Sequence, residues 1–442
     1  MIPRKITIIG GGLAGSEAAW QISRAGLSAV LYEMRPLRST EAHKTAHFAE
    51  LVCSNSLKSE SPNTAPWLLK QELRRLDSLL LRVADEARVP AGHALTVDRD
   101  LFSLAVTRRV EAMPGIEVRR EEVTRIPEDG IVIIASGPLT SDALAADIAR
   151  VTGSGRLFFY DSISPIVDAE TIDLSIAFRA SRYGKSLDGT DDYLNCPFDR
   201  DEYYAFVDAL LEAQSHTPHI AGDVPYFEAC LPVEELARRG RDTLRFGPMK
   251  PMGLTDPRTG RRPWAVVQLR QENLRASSYN LVGFQNYLKY GEQQRVFRMI
   301  PGLGQAEFLR YGQIHRNTYI NAPALLTPEL RFRSDPRVLF AGQIAGIEGY
   351  VESIATGLLA GRHAAAIARG EEPAAPDRQT ALGSLCAYVS GADPHDYQPA
   401  NITFDLLPQL DEETRKRFKH DKKARHAEVC RRALACYERA AC

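Results

Sequence analysis

Six residues near the start of this chain leave it little choice of fold: Gly10-x-Gly12-x-x-Gly15 lies between an apolar run and a helix-forming run. Ile6-Thr7-Ile8-Ile9 reads as a strand, Ser16 to Ala25 as a helix, and Ser28-Ala29-Val30-Leu31-Tyr32 as the next strand, followed by Glu33 eighteen residues after Gly15. In such a βαβ unit Gly10 permits the tight turn, Gly12 lets the backbone approach a pyrophosphate, and Gly15 lets helix and strand pack closely. Gly11, Leu13 and Ala14 complete the turn, the helix N-terminus faces phosphates, and Glu33 is placed for ribose hydroxyls. The pattern predicts a dinucleotide site. An acid at position 33 disfavours a 2′-phosphate there, which leaves NAD or FAD.

Ile131-Val132-Ile133-Ile134-Ala135-Ser136-Gly137 and Val338-Leu339-Phe340-Ala341-Gly342, running on to Gly346, are apolar runs ending in small residues, as buried parallel strands do. They resemble the two later signatures of glutathione-reductase-like flavoproteins, which implies FAD rather than NAD. Trp67 to Arg88 and Asp98 to Met113 carry helical spacing, while Pro36 to Pro66 loses periodicity and reads as a long functional loop. From residue 156 the texture changes to aromatic strands such as Leu157-Phe158-Phe159-Tyr160, many prolines and a helix near Asp199 to Gln214. The expected fold is α/β: a Rossmann-like FAD-binding domain from residues 1–155 and 326–442, ending in a helical segment, interrupted by an inserted α+β substrate domain at 156–325.

The 442 residues are 44% hydrophobic and 25% charged, the usage of an ordinary globular protein. Lys and Arg number 55 against 56 for Asp and Glu, so net charge does not advertise a polyanionic partner and any basic surface must be local. From Arg238 to Arg275 ten basic residues face three acidic ones, with Phe246 and Trp264 interleaved. Such a stretch suits phosphates and bases, although a merely solvated face carries the same charges. Seven cysteines, odd in number and without a Cys-x-x-Cys, point to a reducing cytoplasm. The lead-in to Gly10 is too short for a signal peptide, and no apolar run reaches the ~18 residues of a membrane span. His43 and His47 are spaced i, i+4, but no third ligand presents itself and no metal is expected.

Two cysteines stand in unusual settings: Cys53 in Glu50-Leu51-Val52-Cys53-Ser54-Asn55-Ser56-Leu57, and Cys230 in Phe227-Glu228-Ala229-Cys230-Leu231-Pro232. The other five suit buried, inert positions. With the glycine turn, Gly247-Pro248-Met249-Lys250-Pro251 and Asn401-Ile402-Thr403-Phe404, these segments make nearly the whole chain similar to the bacterial folate- and FAD-dependent tRNA uracil-5-methyltransferases. The resemblance implies transfer of the one-carbon unit of 5,10-methylenetetrahydrofolate to carbon 5 of the T-loop uridine of tRNA, reduced to methyl with NAD(P)H through FAD.

Cys53 and Cys230 are then the catalytic thiols. Cys53 is expected at the flavin and Cys230 as the thiol that attacks uracil, with the reverse allotment open. Gly342 and Gly346 are expected beside FAD, and Tyr350 stacked on the flavin or the substrate ring. Arg238, Arg239, Arg241, Arg261 and Arg262 are expected to take tRNA phosphates. Two other readings stay open at this point: an FAD-dependent NAD(P)H oxidoreductase that does not act on RNA, and a flavoprotein subunit of a wobble-uridine modification complex.

Overall fold

The computed structural model of the protein describes residues 5–153, 157–186, 189–216 and 231–439. The first apolar run forms strand β1 (Ile6–Ile9), every residue of it buried, and leads through the glycine turn into helix α1 (Leu13–Arg24) and strand β2 (Ala29–Tyr32). β2 pairs in parallel with β3 (Ile116–Arg119), and β1 pairs on its other side with β4 (Ile131–Ile134), Ile6 opposite Ile131. The chain returns to this sheet with β5 (Arg331–Phe332) and β6 (Asp335–Phe340), giving the order β5-β6-β4-β1-β2-β3. β6 joins β4 in parallel and β5 closes the edge antiparallel. Central strands covered on both faces have no polar side to show, which is why β1 and β4 are almost continuous Ile and Val.

Helix α2 (Tyr350–Ala368) lies against α1. Small residues set that distance: a Cβ on Gly357 would stand 2.2 Å from the Ala14 carbonyl oxygen, and one on Gly361 would stand 2.6 Å from that of Ala18. The stretch from Trp67 to Arg88, which spacing alone reads as one helix, is two helices, Ala65–Arg75 and Leu79–Glu86. Asp77 takes a left-handed φ of 60° between them, and its carbonyl accepts from Trp20 Nε1 and Gln21 Nε2. The Ser78 hydroxyl then caps the second helix at Leu81 N. The apolar spacing runs on across this break, so periodicity could not reveal it.

Strands Phe178–Arg179, Tyr193–Phe198, Ala265–Gln271, Ser278–Leu281, Ile166–Asp168 and Phe308–Arg310 form, in that order, a second and antiparallel sheet. Helix Arg200–Glu212, entered through a capping box of Asp199 and Glu202, covers it. Phe198, Phe206, Phe284 and Phe297 fill a core of its own. Strands Leu157–Ser162 and Ile314–Tyr319 pair as a ribbon at the two points where the chain passes between the sheets. Among the described residues no helix is long and apolar enough to cross a membrane.

The C-terminal helices Ala381–Gly391 and Lys422–Arg439 are tied to the rest by Glu72. Its fully buried carboxylate accepts from the amides of Ala381 at 2.7 Å and Leu382 at 2.9 Å, and from the Tyr437 hydroxyl at 3.2 Å. Burial pushes this carboxyl up to about 7 against the pull of those donors. The native chain therefore holds the proton more tightly than the unfolded chain, so the stabilisation is complete below about pH 4.5 and is lost as pH rises through 7. Melting curves in a pH series should show stability falling from mildly acid to mildly alkaline pH, by on the order of 3 kcal/mol from this group. Glu72→Gln should flatten that part of the profile. An unchanged slope would assign the titration to another group.

Candidate active site

The carboxyl ends of β1, β2, β4 and β6 open onto a cleft whose walls include Gly10, Gly12, Glu33, Gly137, Gly342 and Tyr350. Gly10 has φ of 103°, and a Cβ there would stand 2.5 Å from the Ala135 carbonyl oxygen. A Cβ on Gly15 would come within 1.8 Å of the Gly10 oxygen, so strand and helix meet only because both positions lack one. A Cβ on Gly12, by contrast, would meet nothing within 4 Å. Gly12 is also the N-cap of α1, with no side chain capping the helix, so its first amides face open space beside Leu13 and Ala14. An uncapped helix N-terminus at the bottom of a cleft suits a pyrophosphate, and the residues present fit a dinucleotide.

Glu33 ends β2 as expected, yet its carboxylate is already engaged. It accepts from Gly11 N, from Arg35 N and from the Arg35 guanidinium, all between 3.0 and 3.2 Å. Burial alone would raise this carboxyl, but the Arg35 hydrogen bonds and charge, with the Gly11 amide, hold it below the usual carboxylate range. A ribose hydroxyl must share an oxygen with these donors. Arg35 also pairs with Glu50 at 3.1 Å, which ties the start of the Cys53 loop to the end of β2. Gly342 lines the cleft and donates to Thr356 Oγ1 at 3.0 Å, whereas Gly346 lies behind it, its carbonyl accepting from the Tyr397 hydroxyl at 2.8 Å.

Cys53 and Tyr350 are brought together from opposite ends of the chain. The Tyr350 phenol oxygen accepts from the amides of Cys53 at 2.9 Å and Ser54 at 3.1 Å. Burial, with Cys53 close by, pushes the Tyr350 phenol above its ordinary range, so it stays protonated and keeps a hydrogen to donate. The Cys53 thiol is partly exposed and donates to the Ser162 carbonyl at 3.8 Å.

Three arginines hold the same loop. Arg99 donates to the carbonyls of Leu51 and Cys53, Arg310 to that of Val52 at 2.8 Å, and Arg270 to Asn55 Oδ1 and Ser54 Oγ at 2.9 Å. Arg99 is paired with Glu272 at 2.6 Å. Burial and the neighbouring Arg99 lower the Arg310 guanidinium. On the far side Lys70 Nζ, wholly buried, takes the carbonyls of Leu57, Lys58 and Ser59. A loop pinned through its backbone on both sides presents its thiol in one fixed place, as a nucleophile near a ligand requires. Arg99 and Arg310 had no sequence signal, because their partners lie many residues away on other elements.

Cys230 lies outside the described residues. His43 Nδ1 stands 2.7 Å from Thr40 Oγ1 on the cleft wall, and His47 Nδ1 is 3.5 Å from Ser103 Oγ. Of the basic stretch, Arg238 pairs with Glu235 and donates to the Tyr287 hydroxyl at 2.8 Å, Arg241 pairs with Asp208 at 2.5 Å, and Arg239 caps helix Val233–Arg238. Arg261 and Arg262 project from a neighbouring turn and are exposed.

Residues 5–372 match the protein family described as glucose inhibited division protein A. A protein of Solibacter usitatus named methylenetetrahydrofolate–tRNA-(uracil-5-)-methyltransferase TrmFO is 71% identical to this chain over 436 residues, 98% of each. One of the same name from Koribacter versatilis is 64% identical over 431 residues, 97% of this chain and 96% of that one. In shape the chain is similar to GidA of Aquifex aeolicus, with a TM-score of 0.71 at 15% identity, covering 99% of this chain and 73% of that one. At that identity the likeness speaks for the fold alone.

Proposed function

Because this chain belongs to the glucose inhibited division protein A family, and within it to the methylenetetrahydrofolate–tRNA-(uracil-5-)-methyltransferases, we propose that its cleft holds FAD and that the Cys53 loop faces the reacting base. The chain is a tRNA methyltransferase that moves the one-carbon unit of 5,10-methylenetetrahydrofolate to carbon 5 of the T-loop uridine, giving 5-methyluridine. NAD(P)H is taken as the electron source and the cytoplasm as the place of action. The observation that supports this reading best is the junction of Tyr350 with the Cys53 loop at the wall of the glycine-lined cleft. Residues 1–155 and 326–442 serve the cofactor in this scheme, and 156–325 serve the tRNA.

Carbon 5 of uracil is a poor nucleophile. Addition of a thiolate to carbon 6 forms an S–C6 bond and moves the electron pair into an enolate, whose carbon 5 then attacks the one-carbon unit. Loss of the carbon 5 proton expels the carrier of the one-carbon unit and leaves an exocyclic methylene on carbon 5, and a hydride equivalent drawn from NAD(P)H then reduces that methylene to methyl as the thiolate leaves carbon 6 and the ring is restored. We assign the addition to Cys230 and the place beside the flavin to Cys53, the opposite allotment being decided by the variants discussed below. FAD, when bound, supplies the carriage of the one-carbon unit and of the reducing equivalents. Gly10 to Gly15, Glu33, Gly342 and Gly346 shape its site, Tyr350 fixes Cys53 beside it, and the exposed Arg261 and Arg262 take tRNA phosphates, whereas Arg238 and Arg241 would have to give up Glu235 and Asp208 to do so.

Arg310 acts here as a positioning residue, holding the loop by the Val52 carbonyl. Arg310→Leu is expected to slow methylation about 10²-fold with FAD content retained, the cost of misplacing a reacting group by roughly 1 Å. Parental rates would make that contact dispensable. The functional reading itself is tested by stripping the flavin: methylation of a tRNA transcript with the folate donor should vanish and return when FAD is added back. Activity that persists without flavin, or that accepts S-adenosylmethionine as sole donor, would overturn it.

A further inference from the structure

The ten cations counted between Arg238 and Arg275 do not form one basic face. Folding pairs several with carboxylates: Arg238 with Glu235, Arg241 with Asp208, Arg245 with Asp242 and Arg258 with Asp256. Arg270 is spent on the Cys53 loop. Lys250, Arg261 and Arg262 are exposed and make no ion pair among the described residues. Arg262 rests against the Met252 sulfur at 2.9 Å, and the Arg261 carbonyl accepts from Asp256 N at 2.9 Å.

A segment from outside the stretch joins these cations. Arg182 reaches across to the carbonyls of Lys250 at 2.5 Å and Met252 at 3.0 Å, and is fixed from below by Gln268 at 2.8 Å. The amide of the next residue, Tyr183, donates to the Gly253 carbonyl at 2.8 Å. Tyr183 is held at φ 58°, ψ 23°, a conformation that a bulky residue rarely takes. Its ring packs over Gly253, where a Cβ would stand 2.7 Å from it, and still leaves the side chain 62% exposed. Lys185 Nζ stands 5.6 Å from the centre of that ring. Asp191, beneath the same turn, is occupied with the Ser181 amide. An exposed aromatic ring among cations that have no acidic partner among the described residues is the arrangement that grips single-stranded nucleic acid, the ring taking a base and the cations the flanking phosphates.

We propose that Tyr183, with Lys185, Lys250 and Arg262, is a stacking platform for an unpaired base of the tRNA substrate. This rests on the reading of the chain as a tRNA methyltransferase and adds where the RNA is held. The charge of the platform is complementary to RNA, and the ring would discriminate a loop with splayed bases from a continuous duplex.

The test is binding of an unmodified tRNA transcript to the FAD-loaded full chain over a range of salt. Tyr183→Ala should weaken binding about tenfold without changing the salt slope, and Tyr183→Phe should bind within about twofold of the parent. Lys185→Ala combined with Arg262→Ala should lower the slope of log Kd against log salt by roughly 1.4, two phosphates at about 0.7 each. FAD absorbance and melting temperature, measured on every variant, separate a lost contact from a lost fold. Tyr183→Ala binding as tightly as the parent, or losing equally against a duplex RNA with no unpaired base, would overturn the platform while leaving the methyltransferase reading intact. A parent that fails to bind tRNA at all would remove both.

Discussion

Cys53→Ala is expected to fold, keep its FAD and lose at least about 10³-fold in the rate of tRNA methylation, the scale seen when a nucleophile is removed from a group that acts as a unit. Thiol chemistry is what the Cys53 loop is built to serve. Tyr350 takes its amides, Arg99 and Arg310 take its carbonyls, and the sulfur is left partly exposed near the cleft. These contacts leave the thiol out, and its own bond to the Ser162 carbonyl at 3.8 Å is a weak one, so removing the sulfur should cost little stability. Cys230→Ala is expected to fall as far, and the two variants divide the roles. The thiol that adds to uracil is the one whose loss abolishes a covalent link between protein and tRNA under denaturing conditions. Both variants methylating at the parental rate would end the thiol mechanism.

Gly15→Val is expected to yield protein without flavin and with severely reduced stability. Even one methyl group at this position would come within 1.8 Å of the Gly10 carbonyl oxygen, and neither backbone segment is free to retreat. Gly10 is held by Tyr32 O, while α1 is pressed from its other side by Gly357 and Gly361 of α2. Overpacking of this kind costs typically 1–3 kcal/mol and more where backbone must move. Gly12→Ala is the informative contrast: its Cβ enters open space, so the fold should survive while a pyrophosphate loses its close approach. A Gly12→Ala protein that holds FAD as tightly as the parent would place the phosphates elsewhere.

The parts of this molecule that were legible beforehand are those written locally. β1, β4 and β6 declare themselves as apolar runs because a buried parallel strand has no polar face, and the glycine turn declares itself because only glycine fits its backbone. Cys53 was singled out by its place in an aperiodic loop after the first βαβ unit. Its fixings were not legible: Tyr350 is 297 residues away in the chain and Arg310 reaches it from the second sheet. The basic stretch shows the opposite limit. A count of charges between Arg238 and Arg275 cannot know that Asp208, outside that window, neutralises Arg241, or that Lys185, also outside it, joins the cations beside Tyr183. Glu33 was found by spacing, but its prior commitment to Arg35 and Gly11 arises from how the turn folds back on β2.

The central claim is that the carbon placed on tRNA comes from folate and arrives at carbon 5 of one uridine. The most direct measurement follows label from the methylene group of 5,10-methylenetetrahydrofolate into an unmodified tRNA transcript, with the purified protein, FAD and NAD(P)H, followed by digestion and identification of the labelled nucleoside. The account predicts label in 5-methyluridine, absent from a transcript whose T-loop uridine is replaced by cytidine and absent from both when S-adenosylmethionine is the only donor. Protein that consumes NAD(P)H while the transcript stays unlabelled, or label in a wobble-position nucleoside, would contradict it.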